Sequence, residues 1–427
     1  MSPARVHNAS PSLTPADGRE RFVTSPYYRG GGRVDESAQG FTVHAEFHLQ
    51  CEVRLVSGVF DPASPDLAEV YRPFGRCVAI VDEHVHRVYG DAIAAYFAGC
   101  GIELLVMVCR ALEADKTLST VARIVDYLGP NGREVTRNEP VLVIGGGVLS
   151  DTAGLACALL HRRTPYVMVA TSLVAAIDAG PSPRTCVNTD GLKNSVGAYH
   201  PPALTLVDRS LFVTQSAKTF RHGLAEVLKM AIVDDEALFT LLEERGPDLV
   251  TSRLASAPPS AAAATDEAII YRTLRSYLGH EGPNMFETYQ DRPHAFGHTW
   301  SPGFEPAARL LHGHAVSIEM AFSATMATVM GWISASDRDR ILNLCQRLDL
   351  AIYHPVITKV DTLTRAQQAM RAKRGGHALW APLPRAAIGQ CDYAQDISDE
   401  LLKETIETHR GLCTARQNSG GIDPLLG

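Results

Sequence analysis

The sequence predicts an α/β N-terminal domain with a doubly wound, mainly parallel sheet, followed by a mainly α-helical C-terminal domain. Three observations carry this. Between about 77 and 180, short apolar runs alternate with helical patterns and glycine turns. From about 208 the apolar residues recur at helical spacing instead. And 427 residues exceed what one core ordinarily supports.

In chain order, residues 1–40 are rich in Ser, Pro, Gly and Arg and read as a flexible leader. Residues 41–207 form the expected dinucleotide-binding domain. FTVHAEFHLQCEVRLVSGVF (41–60) alternates apolar and polar residues, as a half-exposed hairpin does. CVAIVDEHV (77–85) is a buried strand with Asp82 and Glu83 at its tip, and DAIAAYFAGCG (91–101) a helix closed by glycine. IELLVMVC (102–109) is a second buried strand, leading through ALEADK into a helix that ends near 129. PVLVIGGGVLSDTAGLACALLHRR (140–163) repeats strand, glycine loop and helix, and TPYVMVATSLVAAIDAG (164–180) adds a strand and turn.

Residues 208–415 form the expected helical domain, with helices in 219–245, 267–278, 315–333, 337–348 and 398–409, interrupted by a flexible ASAPPSAAAA (255–264). Residues 416–427 read as a loose tail. There is no internal repeat.

Bulk composition excludes some functions. A net charge of −7 argues against a general nucleic-acid binder. Nine scattered cysteines without a CxxC pair suit a reducing cytoplasm. No run of 18 apolar residues and no apolar signal core is present, so a cytoplasmic protein without a membrane anchor is expected.

Three stretches carry chemistry. Gly145, Gly146 and Gly147 follow a strand and open a helix with Asp151 in its first turns. Such a loop lets a diphosphate approach free backbone N–H groups, and reads equally as a tight strand–helix turn. Asp82 is placed to accept a ribose hydroxyl, or is a plain loop acid. The segment 178–202 gathers Asp178, Arg184, Lys193, Asn194 and His200 among turn formers, which suits a phosphorylated, polyhydroxylated ligand or a solvated hairpin. His222, Glu226 and Lys229 share one helix face, with apolar neighbours that would bury the Glu–Lys pair. Finally, His294, His298, His312 and His314 crowd into 291–320, in a chain with 16 histidines. Two imidazoles and a carboxylate make a first-row metal site, and spacing alone leaves ordinary polar roles equally open.

Together these segments resemble the sugar phosphate cyclase superfamily, whose best-known member is dehydroquinate synthase. GGGVLSDTAG resembles that family's NAD loop, LEADK its GExxK element and TSL (171–173) its nicotinamide-side turn. LAEVLKM, FGHT and LLHGHAV match its metal-site motifs. The resemblance implies Glu226, His298 and His312 as ligands of one divalent metal, Zn2+ or Co2+. It implies Asp82, Glu113, Lys116, Gly145, Gly146, Gly147, Val148, Asp151, Thr171, Ser172, Leu173, Asp178, Lys193 and Thr214 around NAD. Lys193, Asn194 and Lys229 become candidates for phosphate and hydroxyl binding, with Asp178 and Arg184 near the substrate, His314 facing the substrate or standing behind the ligands, His294 touching substrate or playing an ordinary structural role, and Arg162 and Lys373 as more distant phosphate partners. It also implies a homodimer, in which Arg162 can act in trans.

Departures from the dehydroquinate synthase pattern indicate the branch. Asp291 and Ala295 stand where that pattern has Arg and Asn, Pro302 replaces a His, and Arg184 replaces a Lys. A site without its carboxylate-binding Arg does not favour a sugar acid. DAGPSPRTC, RPHAFGHTWSP, HGHAV and LWAPLP resemble instead the valiolone-synthase branch, which cyclises sedoheptulose 7-phosphate to seven-carbon cyclitols such as 2-epi-5-epi-valiolone. That implies transient NAD reduction, β-elimination of phosphate, re-reduction and intramolecular aldol closure, with no net redox change. CVNTDGLKN differs from that branch beside the ligand and leaves the epimer, including 2-epi-valiolone, open. A glycerol dehydrogenase-type oxidoreductase and a non-catalytic binding homologue are the competing readings.

Overall fold

The computed structural model describes residues 28–189, 192–376 and 378–416. The described residues begin with an antiparallel hairpin of β1 (Tyr28–Ser37) and β2 (Gly40–Leu49), and residues 1–27 of the expected leader lie outside them. Ten residues of the expected leader are therefore a strand. The expected 41–60 hairpin is not formed either, because β3 (Glu52–Val56) leaves β2 and joins the main sheet. Alternation marks a half-exposed strand without naming its partner.

After α1 (Asp66–Tyr71) come β4 (Arg76–Asp82), α2 (Glu83–Gly99), β5 (Glu103–Cys109), α3 (Leu118–Leu128), β6 (Val141–Gly145), α4 (Gly147–Leu159) and β7 (Tyr166–Ala170). The hairpin of β8 (Arg184–Thr189) and β9 (Leu192–Tyr199) precedes β10 (Leu204–Asp208). The main sheet has six strands in the order β3-β10-β7-β6-β4-β5, all parallel. Each residue of β6, β7 and β10 is buried, as expected of strands covered on both faces. The chain passes from β4 outward to β5, then returns to β6 on the other side of β4. That reversal opens a crevice at the C-terminal ends of β4 and β6, where Asp82 and Gly145 lie.

The helical part holds α5 (Ala217–Asp234), α6 (Glu236–Arg245), α7 (Asp248–Ser252), α8 (Ala261–Glu281), α9 (Ser301–Ala308), α10 (His312–Val329), α11 (Ala335–Arg347), α12 (Val360–Lys373) and α13 (Asp399–Ala415). Before α13 it also carries a two-stranded antiparallel sheet, β11 (Ala381–Arg385) and β12 (Ala387–Ala394), which sequence periodicity did not indicate. The helical stretch 219–245 is broken at Asp235, whose carboxylate caps α6 by accepting from Leu238 N–H. The last four residues of the expected flexible segment, 261–264, begin α8. Helices α5 and α10 are the spine. Every residue of α5 from Gly223 to Val233 and of α10 from Gly313 to Ala327 is buried, so each is surrounded by other elements rather than laid on a surface. All nine cysteines are free, and no helix among the described residues is long and apolar enough to cross a membrane. The tail beyond 416 lies outside the described residues.

Candidate active site

Helix α5 carries Glu226 into the interior with 1% of its surface exposed, where its carboxylate oxygens are met by the Lys229 ammonium and the His298 and His312 rings. His298 reaches it from a tight turn. Gly297 has φ +75°, and a Cβ there would meet Val316 Cγ1 at 2.8 Å, so glycine is needed. The turn is fastened by Glu319 of α10, which accepts the N–H groups of Thr299 (2.6 Å), Trp300 (2.8 Å) and Ser301. His312 opens α10. Its Nε2 lies 3.3 Å from Glu226 Oε1, and that of His298 lies 3.8 Å from the same oxygen. The three residues offer ligand atoms within 4.8 Å of one another.

The far nitrogens of both rings are already engaged. His298 Nδ1–H donates to Phe296 O at 3.1 Å and His312 Nδ1–H to Glu305 Oε2 at 3.0 Å, so both Nε2 atoms face Glu226. Outer partners of this kind orient imidazoles in metal sites. Burial alone would push the Glu226 carboxyl up, but the Lys229 ammonium and the two imidazoles hold it well below the usual carboxylate range. Burial and Lys229 push His298 down to about 4. Burial also opposes a charge on His312, yet Glu226 and Glu305 raise it to about 10. A buried carboxylate and two oriented imidazoles, with ligand atoms this close, fit a divalent ion.

Lys229 Nζ sits 2.5 Å from Glu226 Oε2 and 3.9 Å from Asp178 Oδ2, and Asp178 is 3.7 Å from Arg184. Arg184 donates to Glu281 (2.8 Å), Glu287 (3.0 Å) and the Tyr277 hydroxyl (2.9 Å). Lys193 donates to Glu305 Oε1 at 2.6 Å, which ties β9 to the His312 partner.

At the sheet crevice, Gly146 caps α4 without any side-chain hydrogen bond, leaving its first N–H groups without a side-chain acceptor. A Cβ on Gly145 would meet Leu149 and Asp82, and one on Gly147 would meet Ala179, so the loop is closely packed. Thr171 N–H donates to Gly145 O; Ser172 and Leu173 follow, the latter donating to Gln215. Asp82 caps α2 through Oδ1. Lys116 is buried between Asp151 (2.5 Å) and Asn194 (2.6 Å), and Glu113 accepts from Asn188. Val148 lies in the first turn of α4, and Thr214 donates to Leu211 O in its own turn and meets the Tyr89 hydroxyl.

Some candidates lie elsewhere. His314 is fully buried against the His222 ring and accepts from Ala351 N–H. His200 is a buried prop between Thr164 O and Tyr166. His294 stacks on Tyr277 and contacts Ser276. The exposed side chains of Arg162 and Lys373 make no hydrogen bond or ion pair among the described residues. Sequence reading missed Glu305, Glu319, Tyr277, Glu281 and Glu287. Only Glu305 left a local trace, as an acid among apolar residues just before LLHGHAV.

Comparisons with known proteins agree with this layout. A model of the 3-dehydroquinate synthase N-terminal domain matches residues 106–222, and one of its C-terminal domain matches residues 223–374. A demethyl-4-deoxygadusol synthase from Trichormus variabilis is 38% identical, over 92% of this chain and 95% of its own. A 2-epi-5-epi-valiolone synthase from Streptomyces hygroscopicus subsp. jinggangensis is also 38% identical, over 90% and 93%. The solved structure of a 2-epi-5-epi-valiolone synthase from that organism, with NAD+ and Zn2+ bound, superposes with a TM-score of 0.79 at 35% identity, covering 86% of this chain and 98% of the other.

Proposed function

The chain belongs to the 3-dehydroquinate synthase family of sugar phosphate cyclases, and we propose that it closes sedoheptulose 7-phosphate to a seven-carbon cyclitol, 2-epi-5-epi-valiolone, releasing phosphate. The observation that carries this reading is the convergence of Glu226, His298 and His312 beside Lys229 and Asp178, on the helical side of a dinucleotide-type crevice.

Glu226, His298 and His312 would hold Zn2+ or Co2+, and the glycine loop with Asp82, Lys116 and Asp151 would hold NAD. When bound, the nicotinamide supplies a reversible hydride acceptor and the divalent ion supplies Lewis acidity at a substrate oxygen. The chain's own residues bind and orient. Lys193 and Asn194, on the hairpin between the two halves, would bind phosphate and hydroxyl groups, and Lys229 offsets the charges of buried Glu226 and half-buried Asp178. The proposed sequence is transient oxidation, β-elimination of phosphate, re-reduction and aldol closure. The departing phosphate can itself take the proton, which accounts for a site whose acids are already paired.

A substrate without a carboxylate is supported by the arginines. Arg184 is saturated by Glu281, Glu287 and Tyr277, and Arg292 is paired with Glu287 at 2.7 Å. Both guanidiniums already face carboxylates of the chain itself. The Trichormus relative favours a second reading, in which the same cyclase forms demethyl-4-deoxygadusol. NMR of the product made from sedoheptulose 7-phosphate separates the two, and absence of both cyclitols counts against both readings.

We also propose a homodimer. The β1–β2 hairpin exposes Val34, Phe41 and Val43, and such a ribbon gains stability from a partner. Arg163, the neighbour of Arg162, lies 4.1 Å over its Phe47 ring, which places Arg162 near that surface.

A further inference from the structure

Behind the Tyr277 face of the site lies a second set of metal-binding side chains. Asp234 ends α5, His280 lies in the last turn of α8, and His294 sits in the turn four residues before His298. Each offers a ligand atom, and these atoms lie within 4.8 Å of one another. Asp234 Oδ1 is 2.9 Å from His280 Nε2, and the two imidazoles meet edge to face with centroids 5.1 Å apart.

An aspartate–histidine pair alone is an ordinary half-buried ion pair. His294 is what sets this cluster apart. It is 6% exposed, its Nε2 is taken by Ser276 Oγ, and its Nδ1 is buried without a partner. Burial holds the ring neutral, with its pKa well below the usual imidazole range, so a lone pair stays available. Both imidazoles line a cavity of about 170 Å3 with Glu281, Asn284, Asp291 and Arg292, the last paired with Glu287, which leaves room for an ion and water.

We propose that Asp234, His280 and His294 form a second divalent-metal site of the zinc class, distinct from the Glu226 cluster. Two imidazoles and one carboxylate with an open position suit such an ion. Asp234 lies eight residues beyond Glu226 on α5, about 12 Å along the helix axis. An ion there ties α5, α8 and the turn that leads to His298, and so acts as a clamp behind the site.

The test is metal counting on the full chain. Protein stripped by chelator is reloaded with Zn2+, desalted and measured by mass spectrometry. Two equivalents per chain are expected. His280→Ala should drop to one while keeping phosphate release from sedoheptulose 7-phosphate. Glu226→Gln should also drop to one and lose turnover, and the double variant should hold none. Asp234→Asn, which can keep a hydrogen bond to His280, guards against misfolding and should also hold one. Cobalt-loaded Glu226→Gln should show a visible d–d band that His280→Ala removes. One equivalent in the unaltered protein with none in Glu226→Gln overturns the proposal, as does His280→Ala with two. The counts do not depend on the cyclase reading, so the two stand or fall separately.

Discussion

Glu305 Oε2 lies 3.0 Å from His312 Nδ1, and the other oxygen of the same carboxylate accepts from Lys193 at 2.6 Å. One buried acid thus joins the orientation of the proposed metal-ligand imidazole to the lysine proposed for substrate. Replacing such an outer partner costs roughly 10–100-fold in metal affinity. Glu305→Gln is expected to weaken Zn2+ binding by that amount, read by chelator competition, with unchanged circular dichroism. Unaltered affinity would remove Glu305 from the site.

Lys229 neutralises a Glu226 that is almost wholly buried. Removing one member of a buried pair leaves an uncompensated charge and costs about 3–5 kcal/mol. Lys229→Met should lose that much in urea denaturation of metal-free protein. Saturating Zn2+ should narrow the gap, because a cation replaces the missing charge. A variant equally stable with and without metal would show that the ion does not sit on Glu226.

The NAD reading can be separated from stability at Gly146. Its backbone is extended, and a Cβ there meets only Ser172, at 3.4 Å. Aspartate is a good helix cap. Gly146→Asp should therefore melt no lower than the unaltered protein, yet bind NAD at least about tenfold more weakly, because its charge occupies the α4 N-terminus. Unchanged NAD binding by calorimetry would move the cofactor elsewhere.

His200 and His409 set an acid limit. Each is 1% exposed, and burial pushes each down to about 4. The unfolded chain takes up these protons near pH 6.5, the folded chain only near 4. Stability is full above about 6.5, falls as pH drops and levels off below about 4, by up to about 3 kcal/mol per residue. Replacing both with glutamine should flatten that slope. An unchanged slope would place the acid response elsewhere.

What the sequence made legible was local. The strand, glycine loop and helix at 140–163 and the Glu226–Lys229 pair could be read from one window, because spacing on one element fixes what shares a face. The 28–49 hairpin was misplaced because alternation does not choose a partner strand. The 178–202 segment, read as a donor-rich loop or hairpin, forms β8 and β9, with Asp190 and Gly191 outside the described residues. Arg184 meets Glu281 across 97 residues, and Lys193 meets Glu305 across 112, so no spacing rule reaches them.

The central claim, a cyclisation without net redox change, is tested by giving the protein sedoheptulose 7-phosphate with catalytic NAD+ and Zn2+. Phosphate release and absorbance at 340 nm are followed together. Many equivalents of phosphate per NAD+, with no lasting NADH signal, are the expected result. NADH accumulating in step with substrate consumed would contradict it and make the protein a dehydrogenase.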